Sequence, residues 1–160
     1  MSGVHGTGTG ARTAAPIRVF GTGTGEPLGP EAREALEAAT LVIGARRHLE
    51  AAYPGTGARE AGHAGRIVLG PLAPALDRVA EHLARDEARV VVLASGDPGF
   101  FGIVRALAER FGADALDVRP GAPSVAVAFA RLGLTWDDAV VVSAHGRDPR
   151  TAVHACLAHP

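Results

Sequence analysis

Short runs of apolar residues alternate along this chain with longer stretches in which apolar residues recur every three or four positions. The runs predict six strands, at 17–20, 41–44, 66–69, 89–94, 115–119 and 139–143. The stretches between them predict helices at 31–39, 45–52, from Pro71 onwards, at 101–111, at 124–132, and a last short helix that ends at 160. Because strands alternate with helices, we expect an α/β fold with a mainly parallel, open sheet and flanking helices.

The proline- and glycine-bounded segment at 120–123 is the best predicted domain boundary. Residues 17–119 hold five of the six predicted strands and form a first domain, whereas residues 1–16, rich in Gly, Thr and Ala, are expected to be a disordered extension. After the boundary come only a helix, which Ser124 is expected to cap, a strand and a second helix. That is too little to close a separate core, so residues 120–160 are expected to be a linker and the beginning of an incomplete second α/β domain of a longer product.

The composition excludes several classes of protein. Aromatic residues make up only 4% of the 160 residues, so the core must be mainly aliphatic. The net charge of −1 argues against a basic nucleic-acid-binding surface and against a polybasic membrane contact. No apolar run approaches the roughly 20 residues that span a bilayer. The single cysteine, Cys156, leaves no partner for a disulfide within the chain and no cysteine-rich metal site, which fits a reducing cytoplasm.

The stretch from Val90 to Gly102, VVVLASGDPGFFG, is the most informative in the chain. Its first half is typical of a buried strand, and turn-forming and then aromatic residues follow it. Ligands of open α/β sheets bind just beyond the carboxyl ends of the strands, which is where this pattern places the carboxylate of Asp97. Asp and Pro are also ordinary turn residues, so a purely structural turn is the alternative.

A glycine-rich loop, Gly21–Gly25, follows the first predicted strand and admits three interpretations. A dinucleotide-binding loop requires a helix that opens directly and an acidic residue after the second strand, but Pro27 and Pro30 delay the helix and no acid follows that strand. The second interpretation is a structural turn that lets the helix pack closely. The third is a ligand-binding loop, in which glycines let the backbone approach a ligand without interference from a Cβ.

Basic residues follow two of the predicted strands. Arg46, Arg47 and His48 come directly after the second strand, and His145 and Arg147 come after the sixth. Because the carboxyl ends of parallel strands share one edge of a sheet, these residues are expected to face the same edge. They form either a solvated helix face or a docking site for a polyanion, since guanidinium groups bind carboxylates in a bidentate manner.

Five motifs in a fixed order resemble the tetrapyrrole methylase family. They are VFGTGTGE at 19–26, GARRHL at 44–49, LASGDPGFFG at 93–102, PGAPSVAVAFARLGL at 120–134 and VVSAHGR at 141–147. The SGDP element marks the wider family, and the basic GARRHL and SAHGR elements resemble the branch that methylates carbon 5 of a precorrin (precorrin-6Y or cobalt-precorrin-7) in cobalamin biosynthesis. The resemblance covers about 17–147 and implies a two-domain methyltransferase that uses S-adenosylmethionine.

The resemblance also implies roles for individual residues. By motif match, contacts to the methyl donor would come from Thr24, Ser95, Gly96, Asp97, Phe100, Ser124 and Val125. The carboxylates of the precorrin substrate would be held by Arg46, Arg47, His145 and Arg147. No catalytic acid or base and no metal is expected, because the cofactor carries the reactive group and the protein aligns the reactants. A cytoplasmic homodimer is implied, with no nucleic-acid or membrane partner, and with a fused or separate partner protein that methylates carbon 15 and decarboxylates.

Other functions stay open at this point. One is methylation of a different substrate on the same fold: another precorrin position, rRNA or diphthine. Another is a non-catalytic module that only dimerises or pairs with the carbon-15 enzyme, and a Rossmann-type nucleotide-binding protein is the least favoured. One departure from the family pattern is Leu28-Gly29 where Leu-Ser or Leu-Thr is common. Because glycine is a weaker helix cap by only a few tenths of a kcal/mol, the fold is expected to tolerate it.

Overall fold

Five parallel strands form the centre of the protein. In this computed structural model, which describes residues 17–55, 64–144 and 148–158, the strands are β1 (Ile17–Gly21), β2 (Leu41–Gly44), β3 (Gly65–Val68), β4 (Val90–Ala94) and β5 (Leu116–Arg119). Their order across the sheet is β3-β2-β4-β1-β5, and every neighbouring pair is parallel. The predicted parallel α/β fold is therefore confirmed, with each of these strands within one residue of its predicted bounds. The expected extension at 1–16 lies outside the described residues.

Six α-helices accompany the sheet. They are α1 (Pro30–Ala38), α2 (Arg46–Ala52), α3 (Leu72–Leu83), α4 (Val104–Phe111), α5 (Ser124–Leu132) and α6 (Pro149–Leu157). Pro30 stands in the first turn of α1, where its missing N–H has no intrahelical acceptor to lose. Helix α4 begins three residues later than predicted, because residues 101–103 still belong to the turn after β4 and Phe101 has a φ of +52°.

The two faces of the sheet carry two separate apolar cores. Alternate residues of β4 point to opposite faces, so Val90 and Val92 lie in one core and Val91 and Leu93 in the other. Helices α3 and α4 cover the first face, where Leu107 is 1% exposed. Helices α1 and α2 cover the second face. Because both faces are covered, β2 and β4 are apolar throughout, which is why they are visible as continuous runs in the sequence.

Two predictions about the chain after residue 120 are wrong. Residues 139–143 form no strand, and Val140 is 57% exposed. Apolar residues alone do not make a strand, because its N–H and C=O groups need a neighbouring strand, and β5, the nearest strand in sequence, pairs only with β1 among the described residues. Ser124 does not cap α5 either. Pro123 holds the cap position and Ser124 is the first helical residue, with no side-chain cap hydrogen bond.

The segment from 124 to 158 packs differently from the rest of the chain. No described residue of α5 or α6 is buried. Several large apolar side chains are exposed, among them Leu132 at 70% and Leu157 at 75%. A stacked pair of rings, Phe129 and Trp136 with centroids 5.9 Å apart, is the main aromatic contact of this segment. Across the described part of the chain, no helix combines the length and the apolar character that crossing a membrane requires.

Candidate functional site

The loops after β1 and β4 are joined by main-chain hydrogen bonds just beyond the carboxyl edge of the sheet. The Thr22 N–H donates to the Ala94 carbonyl at 2.7 Å, and the Gly96 N–H donates to the Gly23 carbonyl at 2.8 Å. Gly23 and Gly96 thereby form an isolated antiparallel bridge, although the two strands that lead into it are parallel. Both glycines have φ near +55°, a region that residues with a Cβ rarely adopt. The glycines of both motifs are therefore required by the backbone path.

The segment at 120–123 forms a third wall against these two loops. A Cβ on Gly21 would lie 2.3 Å from the Gly121 nitrogen and 2.3 Å from the Gly96 carbonyl oxygen. A Cβ on Gly121 would lie 2.6 Å from the Gly23 nitrogen. Three stretches of backbone therefore touch directly, and the segment predicted as a linker is part of the site.

The loop after β4 is held by the side chain of Asp97. Its Oδ1 accepts the Gly99 N–H at 2.8 Å, and its carbonyl accepts the Phe100 N–H at 3.1 Å. Pro98 is fully buried beneath the loop, and its carbonyl accepts the Val104 N–H at the start of α4. Asp97 thus fixes the shape of the loop.

These three segments and α2 enclose a cavity of about 690 Å³. That volume lies within the usual range for small-molecule sites. Seven of the residues proposed from the sequence line it: Thr24, Arg47, Ser95, Gly96, Asp97, Phe100 and Ser124. The wall also includes residues not proposed from the sequence: Thr22, Gly23, Gly25, Glu26, Pro27, Leu28, His48, Ala51 and Pro123. The lining combines apolar surface with hydroxyls, two carboxylates and one guanidinium.

Four of the proposed site residues are not among the described residues that line this cavity. Arg46 is exposed on α2 and Val125 lies on α5, and neither lines the cavity. His145 and Arg147 lie outside the described residues. The structure therefore brings together the proposed donor contacts except Val125, and it separates Arg47 from Arg46 among the proposed substrate contacts.

Arg47, Ser95 and His48 form a connected polar group at the cavity wall. The Arg47 guanidinium donates through Nη2 to Ser95 Oγ at 2.5 Å, and His48 Nε2 lies 3.2 Å from the same oxygen. His48 is only 9% exposed, so the expectation of a solvated face for this helix is wrong at that position. Burial lowers the pKa of His48 below 6.5, and the positive charge of Arg47 lowers it further. The backbone at Leu93 acts in the opposite direction and raises this pKa in part.

Glu26 organises the other wall. Its two carboxylate oxygens accept from the Thr24 side-chain hydroxyl at 2.6 Å and from the Thr24 N–H at 2.8 Å. These hydrogen bonds, led by the one from the Thr24 hydroxyl, lower the pKa of Glu26. Glu26 was not proposed from the sequence, although an acid two residues after a threonine in a glycine loop is a local signal of such a turn.

The described residues do not fit the Rossmann-type nucleotide-binding alternative. Helix α1 begins at Pro30, five residues after the last glycine of the loop at 21–25, whereas a dinucleotide fingerprint runs directly into its helix. The strand order also differs from the 3-2-1-4-5-6 order of a Rossmann sheet. Within the described ranges, no three His, Cys, Asp or Glu side chains are grouped so as to hold a metal ion.

Comparisons of the sequence with known proteins identify the family to which this chain is similar. The family model of the tetrapyrrole (corrin/porphyrin) methylases matches residues 19–159. A precorrin-6Y C(5,15)-methyltransferase [decarboxylating] from Sinorhizobium sp is 40% identical over 124 residues, which are 75% of this chain and 27% of the relative. A cobalt-precorrin-7 C(5)-methyltransferase from Salmonella typhimurium is 36% identical over 118 residues, 74% of this chain and 54% of the relative.

The fold agrees with a solved structure as well. The crystal structure of the cobalamin biosynthesis precorrin-6Y methylase from Archaeoglobus fulgidus superposes with a TM-score of 0.61 at 27% identity, covering 81% of this chain and 64% of that one. The chain thus spans about a quarter to about two thirds of these proteins. On the match of the family model and the shared fold, this chain belongs to the tetrapyrrole (corrin/porphyrin) methylase family.

Proposed function

We propose that this chain binds S-adenosylmethionine in the cavity between the loops after β1 and β4, and that it serves the methylation of carbon 5 of a precorrin in cobalamin biosynthesis. The observation that carries the proposal is the cavity itself. It lies beyond the carboxyl edge of the sheet and is enclosed by the SGDP loop, the glycine loop and the PGAP segment, three of the motifs that suggested the family.

The cavity suits the chemistry of the donor. S-adenosylmethionine combines an adenosine, a cationic sulfonium and an amino-acid group, so it needs apolar surface together with oxygen acceptors. Pro27, Leu28 and Ala51 supply apolar surface, and hydroxyls and carboxylates line the remaining wall. The donor would be held by Thr24, Ser95, Gly96, Asp97, Phe100 and Ser124, with Val125 as a further proposed contact on α5.

The bound donor supplies a methyl group on a sulfonium, which an electron-rich ring carbon of the substrate can attack. The residues of this chain then have to orient and to exclude water, not to transfer protons. Asp97 does this by fixing the loop through its bond to the Gly99 N–H. The guanidinium of Arg47 lies at the cavity wall, where it would bind a carboxylate at the edge of the substrate. Further carboxylates of the substrate are proposed to bind to Arg46, His145 and Arg147.

The assembly belongs to the same proposal. The name of the Sinorhizobium relative joins carbon-5 and carbon-15 methylation with decarboxylation in one longer protein. We therefore propose that this chain acts in the cytoplasm as a homodimer, and that a fused or separate partner carries the carbon-15 step. Size-exclusion chromatography with light scattering distinguishes a dimer from a monomer.

The donor site is tested by calorimetric titration with S-adenosylhomocysteine. We expect saturable binding at one site, and Asp97→Ala to weaken it by about tenfold, because the loop loses the bond that shapes it. Asp148→Ala is the matched control. Asp148 also accepts the N–H two residues on, from Arg150 at 3.0 Å, but at the start of α6, so the variant should bind as the wild type does. No binding, or equal affinities for the two variants, would contradict the proposed donor site.

The substrate is tested separately with a labelled methyl donor. We expect labelled methyl on carbon 5 of precorrin-6Y or cobalt-precorrin-7, located by NMR of the product. Label on another ring carbon, or on rRNA or diphthine, would show a different methyltransferase on the same fold. Binding of the donor without transfer to any of them would favour the non-catalytic module.

A further inference from the structure

His48 is a buried histidine that the proposed methyl transfer does not use, yet it is within hydrogen-bond distance of a donor-loop residue. Its Nε2 is 3.2 Å from Ser95 Oγ, and the residue is only 9% exposed. Its Nδ1 is buried and makes no hydrogen bond of normal geometry among the described residues. Ser95, by contrast, is exposed at the cavity wall. A buried titratable ring therefore lies directly behind a hydroxyl that faces the ligand space.

The direction of these hydrogen bonds follows from the chemistry of arginine. A guanidinium is always a donor, so Ser95 Oγ must accept from Arg47 Nη2. The single proton of the Ser95 hydroxyl then remains available. With a neutral ring that carries its proton on Nδ1, His48 Nε2 is an acceptor at the right distance for the Ser95 hydroxyl proton. One lone pair of Ser95 Oγ is left for the cavity.

A protonated ring reverses this arrangement. His48 Nε2 would become a donor, so Ser95 Oγ would accept from both Arg47 and His48, and its own proton would have to turn elsewhere. Two positive side chains would also lie against one hydroxyl. The same serine therefore offers an acceptor to a ligand when His48 is neutral, and a donor when His48 is charged.

We propose that His48 is a positioning residue of the donor site, which in its neutral form accepts the Ser95 hydroxyl proton at Nε2 and so leaves Ser95 as a hydrogen-bond acceptor toward the cavity. The ligand group that this arrangement favours at Ser95 is a neutral hydrogen-bond donor, such as a hydroxyl of S-adenosylmethionine, because the Arg47 guanidinium already lies against the same oxygen. The ligand part of this inference rests on the proposed donor site, whereas the hydrogen-bond direction does not.

The other charged groups at the cavity are Arg47 on the same helix, Asp97 on the loop after β4 and Glu26 on the loop after β1. The strands behind the ring, β2 and β4, carry no charged residue. Any pH dependence that arises from a group other than His48 persists when His48 is replaced. Substitution of His48 therefore isolates its own contribution.

His82 offers a matched control within the same chain. Its Nε2 is 2.8 Å from the Thr40 hydroxyl, and burial likewise lowers its pKa below 6.5. Thr40 precedes β2 and bonds to Arg89, which precedes β4, so this pair lies at the amino edge of the sheet, away from the cavity. His82→Gln changes a histidine of the same kind without touching the donor loop.

The first test is the tautomer of His48 in the ligand-free chain, read from long-range ¹H–¹⁵N NMR spectra at neutral pH. We expect the proton on Nδ1 and an unprotonated Nε2. A proton on Nε2 would overturn the proposed hydrogen-bond direction. Because no ligand is involved, this result does not depend on the proposed methyltransferase activity.

The second test is the affinity for S-adenosylhomocysteine from about pH 8 to about pH 5. A hydroxyl of this ligand would use the acceptor, so affinity should be full above the pKa of His48 and fall about tenfold as pH drops through it, the worth of roughly one hydrogen bond. His48→Gln should lose this fall whatever its affinity at high pH, since an amide does not titrate. His82→Gln should keep it.

The outcomes separate the two ideas. An unchanged pH profile in His48→Gln, or a profile lost in His82→Gln, would overturn the positioning role of His48. No binding of S-adenosylhomocysteine at any pH would overturn the proposed donor site and the ligand part of this inference together. The tautomer measurement would in that case still decide the direction of the hydrogen bonds around Ser95.

Discussion

The region 17–119 and the segment 124–158 contain similarly apolar sequences but use them differently. In the first, Leu107 of α4 is 1% exposed against the sheet. In the second, α5 reads SVAVAFARL and buries none of its residues, and Leu132 is 70% exposed. The difference shows that apolar composition does not determine burial. A helix buries its apolar face only where a second layer is present to cover it, and among the described residues the sheet supplies that layer only to α1–α4.

The largest expected effect is the difference in the free energy of unfolding when a leucine is replaced by alanine in each of the two regions. Leu107→Ala should lower the free energy of unfolding by about 2–5 kcal/mol, because it removes apolar contacts and leaves a cavity. Leu132→Ala should change it by no more than about 0.5 kcal/mol, because the side chain is already in solvent. Urea unfolding followed by circular dichroism measures both. Equal losses would mean that the segment 124–158 belongs to the same cooperative core and would break the comparison.

An intermediate effect is expected in the segment 120–123, which joins the two regions. Gly121→Ala would bring a Cβ within 2.6 Å of the Gly23 nitrogen and the Gly96 carbonyl oxygen, so we expect a loss of about 1–3 kcal/mol in stability together with weaker binding of S-adenosylhomocysteine.

The control for this variant is Gly70→Ala, since nothing lies within 4 Å of a Cβ there and the φ of Gly70 is not positive. It should be neutral or stabilise by up to about 1 kcal/mol, through a smaller unfolded-state entropy. Unimpaired stability and affinity in Gly121→Ala would show that the third wall of the cavity is not needed.

The smallest effect concerns the helix caps of the segment 124–158. Asp148 accepts the Arg150 N–H at the start of α6, whereas Ser124 makes no cap bond at the start of α5. Asp148→Ala should therefore destabilise α6 by about 1 kcal/mol, and Ser124→Ala should leave α5 unchanged. Because neither helix is buried, the effect should appear in local amide hydrogen exchange and not in global unfolding. A matching loss in both variants would be inconsistent with the observed caps.

The fold was predictable wherever local sequence determines the structure. Strands buried on both faces are continuous apolar runs, which is why β2 and β4 were located within one residue. The run at 139–143 has the same local character, yet it forms no strand because pairing depends on a neighbour elsewhere in the chain. Local pattern therefore identifies what can be a strand, and the neighbouring chain decides whether it becomes one.

In the site, too, some features follow from the local sequence and others depend on residues far apart in the chain. Asp97 is proposed because it follows a strand at the ligand-binding edge of an α/β sheet, and Ser95 by motif match, and both line the cavity. The contact between Gly21 and Gly121 joins residues about a hundred positions apart, and no local pattern predicts it. The sequence leaves two interpretations open for the basic residues at 46–48, a solvated helix face or a docking site. For His48 the structure excludes the first, because the turn of α2 directs it inward, next to Leu49.

The position of β4 has a consequence for how the chain folds. β1 and β2 do not touch each other, since β4 lies between them and pairs with both. During synthesis the first three strands therefore emerge before the strand that unites them, and the sheet closes only once residue 94 has left the ribosome. The loop after β4, which carries Ser95 and Asp97, follows at once. Because β5 and the third wall of the cavity at 120–123 follow later still, we expect the cavity to form only after β4 has joined the first strands, in a step limited by the slow closure of non-local parallel pairs.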